Sequence, residues 1–148
     1  MRVVIQRVAN ARVTVDGEAV GSIGAGLLAF LGIHVDDDEA DADWLVDKML
    51  DLRIFQSADG KFDQSLQEAR GELLVVSQFT LLANTRKGRR PSFTDAARPE
   101  QAIPLYERFT DRARAHGVPT ATGRFGASMQ VAMVNDGPVT VILDTRDR

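Results

Sequence analysis

The chain has 148 residues, a formal net charge of −3, two histidines and no cysteine. The lack of cysteine excludes a disulfide scaffold, a thiolate zinc site, an iron–sulfur cluster and a cysteine nucleophile. A net-acidic chain does not bind nucleic acid through its overall charge, so any such contact requires a local basic patch. The length predicts one domain over residues 1–148, and no apolar run approaches the ~20 residues of a membrane span. With no secretory signal at the start, we expect a cytoplasmic protein without membrane association.

The first third of the chain is rich in β-branched residues and in turn signals. Short runs of this kind are typical of strands, and Asp16-Gly17 is a two-residue hairpin signal. The continuous apolar run after Gly24-Ala25-Gly26 indicates a strand that is buried on both faces. The predicted strands are Val3–Val8, Arg12–Val15, Glu18–Ile23 and Leu27–Val35.

Apolar residues recur at helical spacing in two later segments, Asp38–Arg53 and Pro99–Ala115. The acidic run Asp36-Asp37-Asp38-Glu39 suits the start of the first helix, and it lacks the alternating ligands and closing glutamate of a cation site. Gly117 and Pro119 end the second helix. The remaining predicted elements are strands over Arg53–Gln56, Leu73–Leu82, Gln130–Val134 and Val139–Asp144, and a frayed polar tail over Thr145–Arg148.

The order of these elements predicts the fold class. Many strands and two helices follow one another in runs rather than in strict alternation, which is typical of α+β proteins. We therefore predict a single α+β domain with a largely antiparallel or mixed, barrel-like sheet and two main helices.

Three signals have simple structural explanations. The segment Gly24-Ala25-Gly26-Leu27-Leu28-Ala29 formally matches a dinucleotide-binding pattern, but a predicted strand rather than a helix follows it, so we interpret the glycines as a turn. His34 lies in an apolar run, where a packed or pocket-edge imidazole is expected. His116 lies at the end of a predicted helix, where a helix cap is expected.

The first candidate site is Ser77-Gln78-Phe79-Thr80, which follows the apolar residues Leu73–Val76. Polar groups at the end of a buried strand must be satisfied by hydrogen bonds. One interpretation is a strand end whose hydroxyls bond to backbone. The other is a pocket rim, where Gln78 and backbone N–H groups orient a carbonyl and Phe79 offers a stacking face.

The second candidate site is a basic segment between Asn84 and Thr94. It holds four cations within five positions and no acidic residue: Arg86, Lys87, Arg89 and Arg90. Such a run is often a solvated loop. In a net-acidic protein it is also a candidate contact for phosphate, with Phe93 nearby as a possible stacking surface.

The third candidate is Asn135-Asp136-Gly137-Pro138, which separates the last two predicted strands. Proline donates no hydrogen bond to a neighbouring strand, so this segment is expected at an edge or a bulge of the sheet.

Taken together, these stretches resemble the D-aminoacyl-tRNA deacylases over essentially the whole chain. The motifs that carry the resemblance are Ile5-Gln6-Arg7-Val8, Gly24-Ala25-Gly26-Leu27-Leu28, Arg53-Ile54-Phe55, Ser77-Gln78-Phe79-Thr80, Arg90-Pro91-Ser92-Phe93, Gly123-Arg124-Phe125-Gly126-Ala127-x-Met129 and Asn135-Asp136-Gly137-Pro138-Val139-Thr140.

The resemblance implies a homodimer that hydrolyses the ester joining a D-amino acid, or mischarged glycine, to the terminal adenosine of tRNA. The segment Ser77-Gln78-Phe79-Thr80 would line the catalytic pocket. Gly137 and Pro138 would be joined by a cis peptide bond and enter the partner's site, where their carbonyls would capture the substrate amino group and exclude an L side chain. Arg7 would hold this motif in place.

The resemblance also implies that the 2′-hydroxyl of the terminal ribose assists the reaction, so that no cofactor and no metal are expected. The protein would then supply orientation and backbone N–H groups for the developing oxyanion. Thr80 could instead act as a nucleophile. That role needs an adjacent base, and no histidine is near Thr80 in the sequence, although His34 could approach it in space.

One segment departs from the family pattern. After Gly60-Lys61, where the family often carries a Met-Asn-type segment, this chain has Phe62-Asp63-Gln64-Ser65. The departure concerns contacts at the pocket edge or the dimer interface. Two other functions stay open: a non-catalytic RNA- or ligand-binding module with the same pocket and basic loop, and a small-molecule hydrolase with an unrelated substrate.

Overall fold

The computed structural model describes all residues, Met1–Arg148. Ten helices and strands follow one another along the chain. They are β1 (Arg2–Val15), β2 (Glu18–Ile23), β3 (Gly26–Gly32), α1 (Glu39–Asp51), β4 (Phe55–Gln56), β5 (Phe62–Gln64), β6 (Glu72–Ser77), α2 (Pro99–Ala115), β7 (Thr120–Thr122) and β8 (Gln130–Asp144). Two short 3₁₀ helices span Phe79–Leu82 and Thr145–Asp147.

Six of the strands form one mixed sheet in the order β2-β1-β3-β6-β7, with β8 paired to the long strand β1. The pairs of β1 with β2, β3 and β8 are antiparallel, whereas β6 is parallel to both of its neighbours. The sheet curls until β2 and β7 approach each other. At Gly21 a β-carbon would lie 2.3 Å from the carbonyl oxygen of Thr122, so this approach requires glycine. The predicted α+β fold with a barrel-like sheet and two helices is confirmed.

The core has two parts, one on each face of the sheet. The larger part lies between the sheet and the two helices, and it includes Leu45 and Met49 of α1 and Phe109 of α2. The smaller part fills the inside of the curled sheet around Val13, Leu28 and Leu74. Strand β3 contributes to both parts because it is buried on both faces, as its apolar run predicted.

Both helices have the predicted positions. Asp38 caps α1 and forms a reciprocal capping box with Asp41, which confirms the acidic run as a helix start. Helix α2 has the predicted bounds, Pro99–Ala115, and His116 forms its C-cap. Neither helix combines the length and the apolarity needed to cross a membrane.

Several predicted strand limits were wrong. The segments Val3–Val8 and Arg12–Val15 belong to one strand, and so do Gln130–Val134 and Val139–Asp144. The reason is that β1 and β8 pair along nearly their whole length, with register shifts around Val8 that absorb the residues 135–138. The expectation of an edge or bulge there is confirmed, since β8 pairs only with β1.

The C-terminal part of the chain also differs from the prediction. Thr145–Arg148 was predicted to be frayed, but the hydroxyl of Thr145 is buried and accepts a hydrogen bond from the α-amino group of Met1 at 2.8 Å. Arg148 forms an ion pair with Asp41 at 2.9 Å. Strand β7 was not predicted because its three residues are too few to carry a periodic pattern.

Candidate active site

A cavity of about 900 Å³ opens beside the carboxyl end of β6. Its lining combines an apolar floor with a few polar groups, a composition that is typical of small-molecule sites. Ser77, Gln78 and Phe79 all line it, so the polar end of this strand forms a pocket rim as well as a strand end. The only ionisable side chain in the lining is Arg98, at the start of α2.

The change from strand to 3₁₀ helix sets the direction of the rim residues. The predicted strand Leu73–Leu82 ends at Ser77, and the chain turns at Gln78, whose backbone N–H donates to the carbonyl of Leu31 at 2.8 Å. This hydrogen bond anchors Gln78 to β3. Phe79 and Thr80 then begin the 3₁₀ helix.

Gly32 allows this turn to lie close to the end of β3. A β-carbon at Gly32 would be 2.5 Å from Cδ2 of Leu82 and 3.0 Å from the carbonyl oxygen of Gln78. Gly32 was not predicted to be a site residue, because a glycine within an apolar run carries no local signal of the segment that packs against it in the fold.

Thr80 is exposed and does not belong to the cavity lining. Its hydroxyl oxygen accepts a hydrogen bond from the side-chain amide of Gln78, so Thr80 helps to orient that carboxamide. His34 is buried and held by its own loop: its ring Nδ1 accepts from the backbone N–H of Asp36 at 3.1 Å, and its backbone N–H donates to the carboxylate of Asp37 at 2.6 Å. No hydrogen bond joins His34 to Thr80.

Two aromatic rings form one wall of the cavity. Phe79 and Phe93 meet edge to face with their ring centres 5.1 Å apart, and the two residues are 55% and 37% exposed. Large exposed rings in a pocket wall are unusual unless they contact a partner or ligand. Their arrangement leaves apolar surface available to a flat ligand.

The segment of residues 123–129 supplies a further part of the lining: Phe125, Gly126, Ala127 and Met129. Phe125 is held from behind by Tyr106 of α2, at 5.8 Å between ring centres. The hydroxyl of Tyr106 donates to the carbonyl of Val75 at 2.9 Å, and burial raises the pKa of this hydroxyl from 10.0 to about 12. This segment carried part of the family resemblance, but none of its residues was predicted to line the site.

The predicted basic segment forms an exposed loop beside the cavity rather than part of its lining. Asn84 and Ser92 pair as an isolated bridge that closes the loop, and Gly88 turns it with a φ of 69°. The four cations of the loop are all exposed and make no ion pair. Phe93 follows directly and connects the loop to the cavity wall.

Gly137 and Pro138 lie away from the cavity of their own chain, since neither belongs to its lining. The peptide bond between them is cis. The buried side chain of Arg7 donates from Nε to the carbonyl oxygen of Asp136 at 2.8 Å. Asn135 adds a second tie, because its side chain accepts from the N–H of Val139 at 3.2 Å and donates to the carbonyl of Arg7 at 3.3 Å.

Comparisons with known proteins identify the family of this chain. Residues 4–144 match the family model described as D-Tyr-tRNA(Tyr) deacylase. A D-aminoacyl-tRNA deacylase of Dehalococcoides mccartyi is 57% identical over all of this chain and 97% of its own length. One of Symbiobacterium thermophilum is 55% identical over 98% of this chain and 96% of its own length.

Two solved structures share the fold of this chain. The c-Myc DNA Unwinding Element Binding Protein matches with a TM-score of 0.92 and 41% identity, over 97% of this chain and 98% of its own. A probable eukaryotic D-amino acid tRNA deacylase matches with a TM-score of 0.82 and 21% identity, over 96% and 97% of the two chains. The barrel-like α+β fold and the names of the curated relatives together define the class of protein, a hydrolase. The chain belongs to the D-Tyr-tRNA(Tyr) deacylase family.

Proposed function

We propose that this protein is a cytoplasmic tRNA-editing enzyme that hydrolyses the ester of D-aminoacyl-tRNA and of glycyl-tRNA. The products are free tRNA and the free amino acid. The observation that carries the proposal is the cavity rimmed by Ser77, Gln78 and Phe79 in a chain whose relatives, at 55–57% identity, are named D-aminoacyl-tRNA deacylases.

The cavity has the size and chemistry for an aminoacylated adenosine. A volume of about 900 Å³ is at the upper end of the range for small-molecule sites. Phe79 and Phe93 offer faces on which a base can stack, which contributes ~1–3 kcal/mol per base in single-stranded RNA complexes. The Gln78 side chain lines the cavity and its carboxamide is hydrogen-bonded to Thr80, which supports a role for it in orienting the ester carbonyl.

The lining also supports an RNA-assisted mechanism. It offers hydroxyls, one carboxamide and one guanidinium, and no carboxylate or imidazole that could act as a base. We therefore assign activation of the attack to the 2′-hydroxyl of the terminal ribose. The protein orients the ester, and the first backbone N–H groups of the 3₁₀ helix stabilise the oxyanion.

A homodimer with a shared active site explains why Gly137 and Pro138 lie outside their own cavity. Strand β8 leaves one of its edges unpaired, and Val134 and Ile142 on it are 54% and 65% exposed. An exposed apolar strand at a sheet edge favours contact with another chain. In the proposed dimer, Gly137 and Pro138 reach the partner's cavity, bind the substrate amino group and exclude an L side chain.

Steric exclusion of this kind sets the substrate range. Glycine has no side chain to reject, and the side chain of a D-amino acid points away from the excluded region. We therefore expect activity on glycyl-tRNA and on several D-aminoacyl-tRNAs, with little dependence on the side chain.

Deacylation of D-tyrosyl-tRNA, L-tyrosyl-tRNA and glycyl-tRNA by the purified protein tests the proposal. We expect rapid release from the D and glycyl substrates and near-background release from the L substrate. Equal rates on D- and L-tyrosyl-tRNA would refute chiral selection. Binding of the charged tRNA without any release would favour the non-catalytic binding module instead.

The mechanism has its own test. A D-aminoacyl-tRNA that lacks the terminal 2′-hydroxyl is expected to resist hydrolysis, whereas Thr80→Val retains most of the activity if Thr80 only orients Gln78. The reverse pattern would assign the nucleophile to Thr80. Thr94→Val is the matched control, because Thr94 also carries a hydroxyl and lies next to Phe93, but the Gln78 carboxamide is hydrogen-bonded to Thr80 and not to Thr94.

A further inference from the structure

Arg7 connects two separate segments of the chain. Its side chain is only 7% exposed, and its Nε donates to the carbonyl oxygen of Asp136 at 2.8 Å. One terminal nitrogen, Nη1, donates to the carbonyl oxygen of Ile54 at 2.8 Å, directly before β4. The guanidinium edges therefore hold the segment of Asp136 against the start of the β4–β5 hairpin.

The same guanidinium lies over the face of the Phe62 ring. The Arg7 Cζ atom lies 5.5 Å from the centre of the Phe62 ring, which is within cation–π distance. Phe62 is on β5, where it pairs with Gln56 of β4. The cation–π attraction restrains the guanidinium beside the ring while its N–H groups donate to the two carbonyls.

Burial alone does not explain the position of Phe62. The residue is 54% exposed and belongs to neither part of the hydrophobic core. The contact with Arg7, rather than packing in the core, therefore accounts for the position of the Phe62 ring. It also lies in the segment of residues 62–65, where this chain departs from the family pattern and to which no role is otherwise assigned.

We propose that Phe62 is a positioning residue for chiral selection, acting through Arg7 on residues 136–138. The ring holds the guanidinium in the orientation that binds the Asp136 carbonyl, and this hydrogen bond fixes the neighbouring Gly137 and Pro138. The inference rests on the proposed function, because it assigns Phe62 a role in the selectivity that Gly137 and Pro138 provide.

Aromatic and aliphatic replacements of Phe62 distinguish cation–π stacking from simple packing. Phe62→Tyr keeps a π face, whereas Phe62→Leu keeps an apolar side chain without one. Asp63→Ala is the matched control, since Asp63 is the adjacent exposed residue on the same strand and makes no ion pair. All three replacements are on an exposed hairpin outside both parts of the core, so the protein is expected to stay folded.

The first measurement is hydrogen exchange of the peptide covering residues 135–139, which needs no substrate. The N–H of Val139 is protected by Asn135 in the native structure. We expect exchange to be about two- to fivefold faster in Phe62→Leu, the range that corresponds to an exposed cation–π contact, and unchanged in Phe62→Tyr and Asp63→Ala. Unchanged exchange in Phe62→Leu, or equal acceleration in Phe62→Tyr, would overturn the inference.

The second measurement is the ratio of deacylation rates on D- and L-tyrosyl-tRNA. We expect Phe62→Leu to lower this ratio about two- to fivefold, mainly by faster release from the L substrate, and Phe62→Tyr to restore it. A lower rate on both substrates with the same ratio would overturn the role in selection. If the native protein itself did not distinguish D from L, the proposed function would fail, whatever the exchange data showed.

Discussion

Gly32 shows at the scale of one residue how the site depends on close approach. The end of β3 touches the 3₁₀ helix that carries the pocket rim, and only the absence of a side chain at Gly32 leaves room for the Gln78 carbonyl and for Leu82. An added β-carbon would push first on the buried end of the Leu82 side chain and would also press on the Gln78 carbonyl oxygen, which cannot rotate away as a side chain would.

We therefore expect Gly32→Ala to lower both the stability of the protein and its deacylation rate. Overpacking costs ~1–3 kcal/mol in unfolding free energy, and the displaced Gln78 would lower the rate on D-aminoacyl-tRNA at least several-fold. Thermal unfolding and single-turnover deacylation measure the two effects. Gly24→Ala is the control, since its β-carbon would meet only the flexible end of Glu72 at 3.2 Å. Full activity in Gly32→Ala would show that Gln78 tolerates displacement.

Tyr106 supports the site from behind and is the only tyrosine of the chain. Its folded-state pKa of about 12 lies above the ordinary value of 10.0, because burial disfavours the phenolate. An acid whose pKa is raised by folding contributes stability below its unfolded pKa, and this contribution is lost as the pH rises from about 10 to 12. The absorbance of tyrosinate follows this titration without interference from any other tyrosine.

We expect Tyr106→Phe to lower the unfolding free energy at neutral pH by ~1 kcal/mol, through loss of the hydrogen bond to Val75. In alkaline solution the difference in unfolding free energy between the native protein and Tyr106→Phe is expected to shrink, because the stabilising contribution of the protonated Tyr106 is lost there. Chemical denaturation at pH values from neutral to strongly alkaline measures both. A difference that stays constant across this range would contradict the assigned pKa.

At the scale of elements, ion pairs join the two helices. Arg108 binds Asp43 and Arg112 binds Asp47, each through two hydrogen bonds of 2.6–2.8 Å. The hydrogen bond from Arg112 is the largest influence that holds the pKa of Asp47 below its ordinary 3.8, and His116 contributes in the same direction. A carboxylate with a depressed pKa adds stability above its unfolded pKa and loses it as the pH falls.

Asp47→Asn is accordingly expected to cost ~0.5–1 kcal/mol at neutral pH, a modest value because the pair is partly exposed. The cost should shrink as the pH falls below about 4, because the carboxylate of the unfolded chain becomes protonated there while the native one, with its lowered pKa, still resists protonation. Urea denaturation at several pH values measures it. Asp111→Asn is the matched control, as the Asp111 side chain is 75% exposed and its pair with Arg114 is 3.4 Å long. An equal loss of unfolding free energy in Asp47→Asn at all pH values would exclude an ionic origin for this cost.

The basic loop is the element most suited to contact the RNA backbone. Its four cations are exposed beside Phe93, which lines the cavity. Replacing Arg86, Lys87, Arg89 and Arg90 by alanine is expected to weaken tRNA binding and to flatten its dependence on salt by ~0.7–0.9 in slope for each lost phosphate contact.

Binding titrations at several salt concentrations measure the loop's contribution. Lys48→Ala is the control, because Lys48 is exposed on α1, away from the loop in the fold. An unchanged salt slope in the loop variant would show that these cations are only a solvated surface.

At the scale of the whole molecule, the proposed dimer rests on β8. This strand has one unpaired edge and exposes the apolar side chains of Val134 and Ile142. A charge at either position would be desolvated in an interface, which costs several kcal/mol without a partner.

We expect Ile142→Glu to convert the dimer into monomers at micromolar concentration and to abolish deacylation, since each site would lose the partner's Gly137 and Pro138. Sedimentation velocity and the deacylation rate measure the two effects together. Glu107→Lys on α2 is the control for a change of surface charge away from β8. A monomeric variant that kept full chiral selection would contradict the shared site.

Much of this protein follows from local patterns in its sequence. Helix α2 has the predicted bounds because Pro99 and Gly117 define its ends through their own backbone preferences. The motif of residues 77–80 predicted either a strand end or a pocket rim, because polar residues at the end of a buried strand need hydrogen-bond partners. These conclusions need only the chemistry of a few neighbouring residues, and a sequence contains that information directly.

Other features were decided by contacts between residues distant in the sequence. The pairing of β1 with β8 joined two pairs of predicted strands into one strand each, and it gave order to the end of the chain through Thr145. The contact of Phe62 with Arg7, 55 positions apart, and the crossing at Gly32 had no local signal. Local propensity and periodicity determined the positions of the helices and most strands. The cavity and the support of residues 136–138 were decided by tertiary packing, because they arise only when separate segments meet.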